Sequence, residues 1–172
     1  SSDVCSSDLN IKLALDCISI GSKSDMYAVD QVAKTLYKHN GSDWAAIETG
    51  NTLNVAAGID GTVVVIDKNG IPLLYKGNNQ YEYLGTLPAT IGGNPLASQP
   101  VPGSISLQTY PGIVTFENIA VGTMTNIIAT TNKGELYKYE SQRKMWLPFL
   151  SANGTIASGV KDIAINAAGT KI

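Results

Sequence analysis

His39 is the only imidazole in 172 residues, and it sits directly before Asn40-Gly41. A hydrolytic site needs a nucleophile with a base, or a pair of carboxylates with separated roles. A single histidine next to an Asn-Gly pair instead reads as a solvated turn residue. Asp30, Asp60, Asp67 and Asp162 stand at the ends of apolar runs, where aspartate is an ordinary turn former. The dense set of oxygen ligands that a calcium loop requires is missing. No Gly-rich phosphate loop leads into a helix, and no Cys/His cluster has metal-ligand spacing. The sequence therefore predicts no catalytic residue, no metal and no cofactor.

Binding chemistry has better candidates. Trp44, Tyr81 and Trp146 lie near polar residues, among them Asn78, Asn79, Asp43 and Gln142. A sugar presents an apolar ring face together with hydroxyls, which an aromatic platform flanked by amides can meet. The same rings could instead fill the space between packed sheets, and for the two tryptophans that packing role is preferred. Exposure separates the alternatives. Asn40-Gly-Ser42 and Asn153-Gly-Thr155 fit the N-glycosylation pattern, although a turn accounts for both.

The elements that must position these residues come from a repeat, sought first because periodic self-similarity decides a fold. One copy runs Cys17-Ile-Ser-Ile-Gly21, Asp25-Met-Tyr-Ala-Val-Asp30, Thr35-Leu-Tyr-Lys38, then Asp43-Trp44-Ala-Ala-Ile47. A second runs Asn54-Val-Ala-Ala-Gly58, Gly61 to Asp67, Leu74-Tyr-Lys76 and Tyr81-Glu-Tyr-Leu84. A third runs Asn118-Ile-Ala-Val-Gly122, Asn126-Ile-Ile-Ala-Thr130, Gly134-Glu-Leu-Tyr-Lys138 and Met145-Trp146-Leu147. A fourth opens with Asp162-Ile-Ala-Ile-Asn166 and is expected to be cut in mid-unit at Ile172.

Each piece is short, β-rich and bounded by Gly, Asn, Asp or Lys clusters, so each copy reads as a four-stranded antiparallel meander. Asp67-Lys-Asn-Gly70 and Asn132-Lys-Gly134 place glycine where a hairpin needs positive φ, and Gly77-Asn78-Asn79 marks a further turn. The first strands alternate, with Ile18 and Ile20, Ile119 and Val121, or Ile163 and Ile165 expected on a core face. A meander of about 38 residues cannot bury its own faces and must stack on its neighbours. The fold expected is all-β: an incomplete β-propeller of about three and a half blades.

The copies span about 13–50, 51–85, 113–150 and 156–172 within a partial propeller domain at 10–172. Gly21 and Gly58 are 37 residues apart but Gly58 and Gly122 are 64 apart. The excess falls in 86–112, which holds Pro88, Pro95, Pro100, Pro102 and Pro111. A loop of that length is functional or disordered in most compact domains.

Residues 1–9, SSDVCSSDL, resemble a translated sequencing-library adapter and are expected to be foreign to the protein. Without Asp3 and Asp8 the formal charge of −2 becomes neutral. A neutral chain with no Lys/Arg cluster has no electrostatic footprint for nucleic acid. Cys17 is then the one remaining cysteine, expected as a small buried hydrophobe. No run reaches the roughly 18 apolar residues of a membrane-spanning helix. The native start is expected to be missing, so localisation is left open.

Trp44-Ala-Ala-Ile-Glu-Thr-Gly50, Val55-Ala-Ala-Gly-Ile-Asp-Gly-Thr-Val63 and Gly134-Glu-Leu-Tyr137 carry a further likeness. Together they resemble the tectonin repeat, from about Leu13 to Ile172 without the proline-rich insertion. Tyr27, Val64 and Ile127 stand where many such repeats have a second-strand tryptophan. The resemblance implies a propeller, usually six-bladed, in a lectin or surface-recognition protein, secreted or cell-surface.

The expectation is thus a non-catalytic recognition module with carbohydrate as ligand class, through Trp44, Tyr81, Trp146, Asn78 and Asn79. The alternative is a protein-interaction scaffold whose 86–112 segment faces a partner. An enzyme with its active site in missing blades is the third reading. As an interior slice of a larger ring, the chain should expose sheet faces and strand edges that the remaining blades would cover.

Overall fold

The computed structural model describes residues 15–22, 24–85 and 114–166. Residues 1–9 and the insertion 86–112 lie outside these, as does the end of the fourth copy. The first sheet holds β1 (Cys17–Ser22), β2 (Asp25–Asp30), β3 (Thr35–His39) and β4 (Trp44–Glu48). The second holds β5 (Thr52–Ala57), β6 (Val63–Asp67), β7 (Pro72–Gly77) and β8 (Gln80–Tyr83). The third holds β9 (Phe116–Thr123), β10 (Asn126–Thr131), β11 (Leu136–Glu140) and β12 (Met145–Pro148). Strands pair in sequence order within each sheet, and every pairing is antiparallel. No helix forms among the described residues. Three four-stranded meanders stacked in series are the blades of an incomplete β-propeller.

The turn chemistry explains the hairpins. At the β2–β3 turn Asp30 Oδ1 accepts Val32 N and Ala33 N, both at 2.9 Å. At the equivalent β6–β7 turn Asp67 Oδ1 accepts Asn69 N at 2.9 Å and Ile71 N at 2.8 Å. Thr131 Oγ1 takes the same part at β10–β11, accepting Lys133 N and Glu135 N. Side chains that bind backbone donors two to four residues ahead close a tight turn without a second strand's help. Asp67 is buried, and burial pushes its carboxyl up against the opposing pull of the Ile71 and Asn69 N–H groups.

Alternate residues of a strand face opposite neighbours, which gives each blade two packing faces. Val55, Ala57, Val63 and Val65 of the second blade pack on Tyr27, Val29 and Leu36 of the first. Ala56, Val64, Ile66 and Leu74 pack on Ile119, Val121, Ile127, Ala129, Tyr137 and Trp146 of the third. Strand β6 is buried at every position for this reason, so Val63 to Ile66 form a continuous apolar run with no alternation before Asp67.

A recurring backbone latch joins the blades at their β2–β3-type turns. The carbonyl of Lys34 accepts Thr52 N at 2.9 Å, that of Gly70 accepts Phe116 N at 3.0 Å, and that of Gly134 accepts Val160 N at 3.1 Å. All three carbonyl owners are left-handed, with φ of 53°, 76° and 70°. Two are glycine; Lys34 bears the conformation with a side chain.

One expectation needs correction. Ile18 and Ile20 are 56% and 64% exposed, whereas Ile119 and Val121, their equivalents in the third blade, are buried by the second. The first blade has no such neighbour among the described residues, so alternation there leaves the isoleucines in solvent. The opening of the fourth copy, 162–166, joins no strand ladder. Ile163 and Ile165 do pack, with Val160 and Ala157, against Ala120, Ile128 and Leu136 of the third blade.

Candidate functional site

The first strands of the copies converge. β1, β5, β9 and residues 162–165 line one cavity of about 340 Å3. Its wall includes one residue from the same repeat column of each copy: Cys17, Asn54, Asn118 and Asp162. These form a directional belt from blade to blade. Cys17 Sγ donates to Asn54 Oδ1 at 3.3 Å. Asn54 Nδ2 donates to Glu117 O at 3.2 Å and lies 3.4 Å from Asn118 Oδ1. Asn118 Nδ2 donates to Lys161 O at 3.2 Å. Each amide thus satisfies the backbone carbonyl that precedes the belt residue of the next copy, which the unpaired inner edge of a sheet would leave open. Ser19 adds to this by accepting Ala57 N at 2.8 Å. Cys17 is half-buried and free, and in the belt it replaces the expected hydrophobe with a weak S–H donor.

The other end of the same strands is closed by glycine. A Cβ on Gly21 would lie 2.4 Å from Gly58 O, and one on Gly58 would lie 2.8 Å from Gly122 O. Glycine recurs at this place because the next blade's backbone passes where a side chain would begin. Asp60 adds a clamp beside it: Oδ2 accepts Met124 N at 2.9 Å from the third blade, and Oδ1 accepts Thr62 N at 3.0 Å from its own turn. Burial pushes the Asp60 carboxyl up, but the Met124 and Thr62 donors outweigh it and hold the group below its usual range.

The residues expected from sequence to bind a ligand lie elsewhere and apart. Trp44, Tyr81 and Trp146 stand on the outer strands β4, β8 and β12 of three different blades. Trp146 is fully buried, packed on Phe116 at 4.6 Å and Tyr139 at 5.2 Å between ring centroids. It offers no ring face to a ligand, and its Nε1 has no hydrogen-bond partner among the described residues. The Tyr81 hydroxyl donates to Glu48 Oε2 at 2.5 Å across the first two blades, and its ring lies 5.3 Å from that of Tyr75. Burial, then Glu48, pushes that phenol upward. Tyr81 thus packs blade against blade, while Trp146 is stacked among rings of its own blade. Trp44 is half-buried and meets the His39 ring edge-on at 5.1 Å. Asn78 and Asn79 are exposed at the β7–β8 turn with φ of 50° and 57°, the backbone of a tight hairpin.

The belt could have been found in sequence, because Cys17, Asn54, Asn118 and Asp162 occupy one column of the repeat. Their convergence could not. Among the described residues, no group of three or more His, Cys, Asp or Glu is placed to hold a metal.

The blades and their shared inner cavity define the class: a β-propeller fold, here in part. No family model matches the chain, so the tectonin likeness rests on the repeat residues alone. No curated protein matches it in sequence. Among solved structures it is similar to "YCF48 bound to D1 peptide", with a TM-score of 0.55 and 14% identity over 89% of this chain and 45% of that one. The chain thus spans less than half of that propeller's length.

Proposed function

We propose that this chain is part of a non-catalytic protein-recognition scaffold that receives an extended peptide at the cavity of its inner strands. The cavity carries the reading: about 340 Å3 of space bounded by the Asn54 and Asn118 amides, Ser19, Asp162 and the exposed Ile18 and Ile20. Polar groups beside apolar side chains suit a peptide, which alternates amides and side chains along its length. That a similar propeller fold is described bound to a peptide favours the same ligand class, as an analogy of fold. The carbohydrate reading has less support, since two of its three aromatic platforms are spent on packing.

Panning a random peptide display library on the chain tests the proposal. Selected peptides should lose binding to Ile20→Asp and Asn118→Ala and keep it to Trp44→Ala. Glycan-array binding abolished by Trp44→Ala, with no peptide selected, would reinstate the sugar reading. Turnover of any substrate would sink both.

A further inference from the structure

Three Asn-Gly pairs lie in turns: Asn40-Gly41, Asn69-Gly70 and Asn153-Gly154. Their glycines share positive φ of 105°, 76° and 80°. They differ in what the glycine N–H meets. Gly70 N donates to Asp67 O and Gly154 N to Ser151 O, both at 2.9 Å. A peptide carbonyl holds such a proton in place and does not take it. Gly41 N donates instead to His39 Nδ1 at 3.1 Å, a nitrogen able to accept the proton outright.

The acceptor side of the pair is equally prepared. Asn40 Oδ1 receives Ser42 N and Ser42 Oγ, both at 3.0 Å, and Asp43 N at 2.9 Å. Three donors on one amide oxygen polarise its Cγ and stabilise negative charge that develops there. Asn40, Gly41 and Ser42 are exposed, and nothing lies within 4 Å of a Cβ placed on Gly41, so ring closure meets no wall and water has access.

We infer that Asn40-Gly41 is a site of self-catalysed deamidation, with His39 as its base. The Gly41 nitrogen bonds to Asn40 Cγ while its proton passes to His39 Nδ1, and the carbonyl electron pair moves onto Oδ1 between the three donors. The pair then returns, the Cγ–Nδ2 bond breaks, and the proton held by His39 goes to the leaving nitrogen, which departs as ammonia. Water opens the resulting succinimide at either carbonyl, leaving aspartate or isoaspartate at position 40. Asn153 serves as the contrast, since its Oδ1 also receives Ser151 Oγ, Thr155 N and Thr155 Oγ1. It has the polarised amide but no imidazole on the glycine nitrogen. The product carboxylate would lie beside Asp43 and close to the His39–Trp44 pair, in the hairpin where Asn40 N donates to Asp43 O.

The test is to incubate the whole chain at neutral pH for days, digest it, and follow the amide-to-acid mass gain of the three peptides, with isoaspartate resolved by chromatography. Asn40 should convert on the order of a hundredfold faster than Asn153 or Asn69, the low end of what a positioned base supplies. His39→Phe, which keeps a ring against Trp44, should slow Asn40 to the pace of Asn153. Ser42→Ala, which removes one donor, should slow it by less. In urea all three pairs should converge on similar rates. Asn69 and Asn153 act as internal clocks: if a variant loosens the fold, they change too, and the ranking in the unaltered chain still decides. Conversion of Asn153 as fast as Asn40 in the folded chain, or an Asn40 rate unmoved by His39→Phe with steady clocks, overturns the inference.

Discussion

Replacing Gly21 by alanine would put a Cβ 2.4 Å from Gly58 O, with Ala57 C and Ala57 Cβ each at 3.1 Å. Ordinary van der Waals contact begins near 3.4 Å, so the closest approach must lengthen by about 1 Å. Both sides of the closest contact are backbone, and no side chain can rotate away. Relief requires the first and second blades to part at the inner strands. A gap of that order forfeits a quarter to a half of the dispersion attraction of the atoms facing it, and these include Tyr27, Val29, Val55 and Val63. The expected loss is about 3 kcal/mol, the upper end of overpacking costs. Because stacked repeats couple through neighbour interfaces, it should fall on the first blade alone. The two tryptophans report this separately: Trp44 lies in the first blade and Trp146 in the third. In urea unfolding, Gly21→Ala carrying Trp146→Phe should show its Trp44 transition well before the Trp146 transition of Gly21→Ala carrying Trp44→Phe, whereas the same two reporters coincide in the parent. Gly61→Ala is the control, with φ of +82° and nothing within 4 Å; it strains one turn by roughly 1–2 kcal/mol without parting the blades. Coincident transitions in Gly21→Ala, or a loss below about 0.5 kcal/mol, would refute the close-packed glycine ladder.

Trp146→Ala should cost about 3–5 kcal/mol in urea titration, and Trp146→Phe clearly less, because it also deletes the unpartnered Nε1–H; equal costs would argue against that orphan donor. Lys34→Gly should raise the unfolding midpoint, with relief of the left-handed strain exceeding the added chain entropy by about 0.5–1 kcal/mol, and a lowered midpoint contradicts the latch. The Asp60 carboxyl is held below its usual range, so its clamp contributes fully above the ordinary carboxylate pKa and is lost as pH falls through the depressed folded value. Asp60→Asn should therefore flatten the acid limb of a Tm-against-pH profile; an unchanged limb means the clamp carries no weight. Ile18→Thr with Ile20→Thr should reduce self-association in light scattering at little cost in stability, since both side chains are exposed.

The sequence alone determined the repeat, the four strands of the first three copies and the turns between them, because turn residues and short β-rich runs act locally. Gly70 and Gly134 announce their hairpins, and Asp30 and Asp67 close theirs within four residues. It also shows glycine recurring at 21, 58 and 122, though not what passes there. Only the tertiary structure decided which neighbour covers which face. A period of two says that Ile18 and Ile119 lie on one side of their strands, but burial depends on whether a blade stands against that side: among the described residues one does for Ile119 and none does for Ile18. The same holds for the aromatics, alike in sequence yet unlike in setting, with Trp146 sealed by Phe116 and Tyr139 and Trp44 left at a hairpin. The belt is the clearest case, for Asn54 reaches Glu117 across 63 residues, the 86–112 insertion among them. No local pattern encodes that bond, because it exists only once neighbouring sheets have stacked and brought their inner edges within hydrogen-bonding distance.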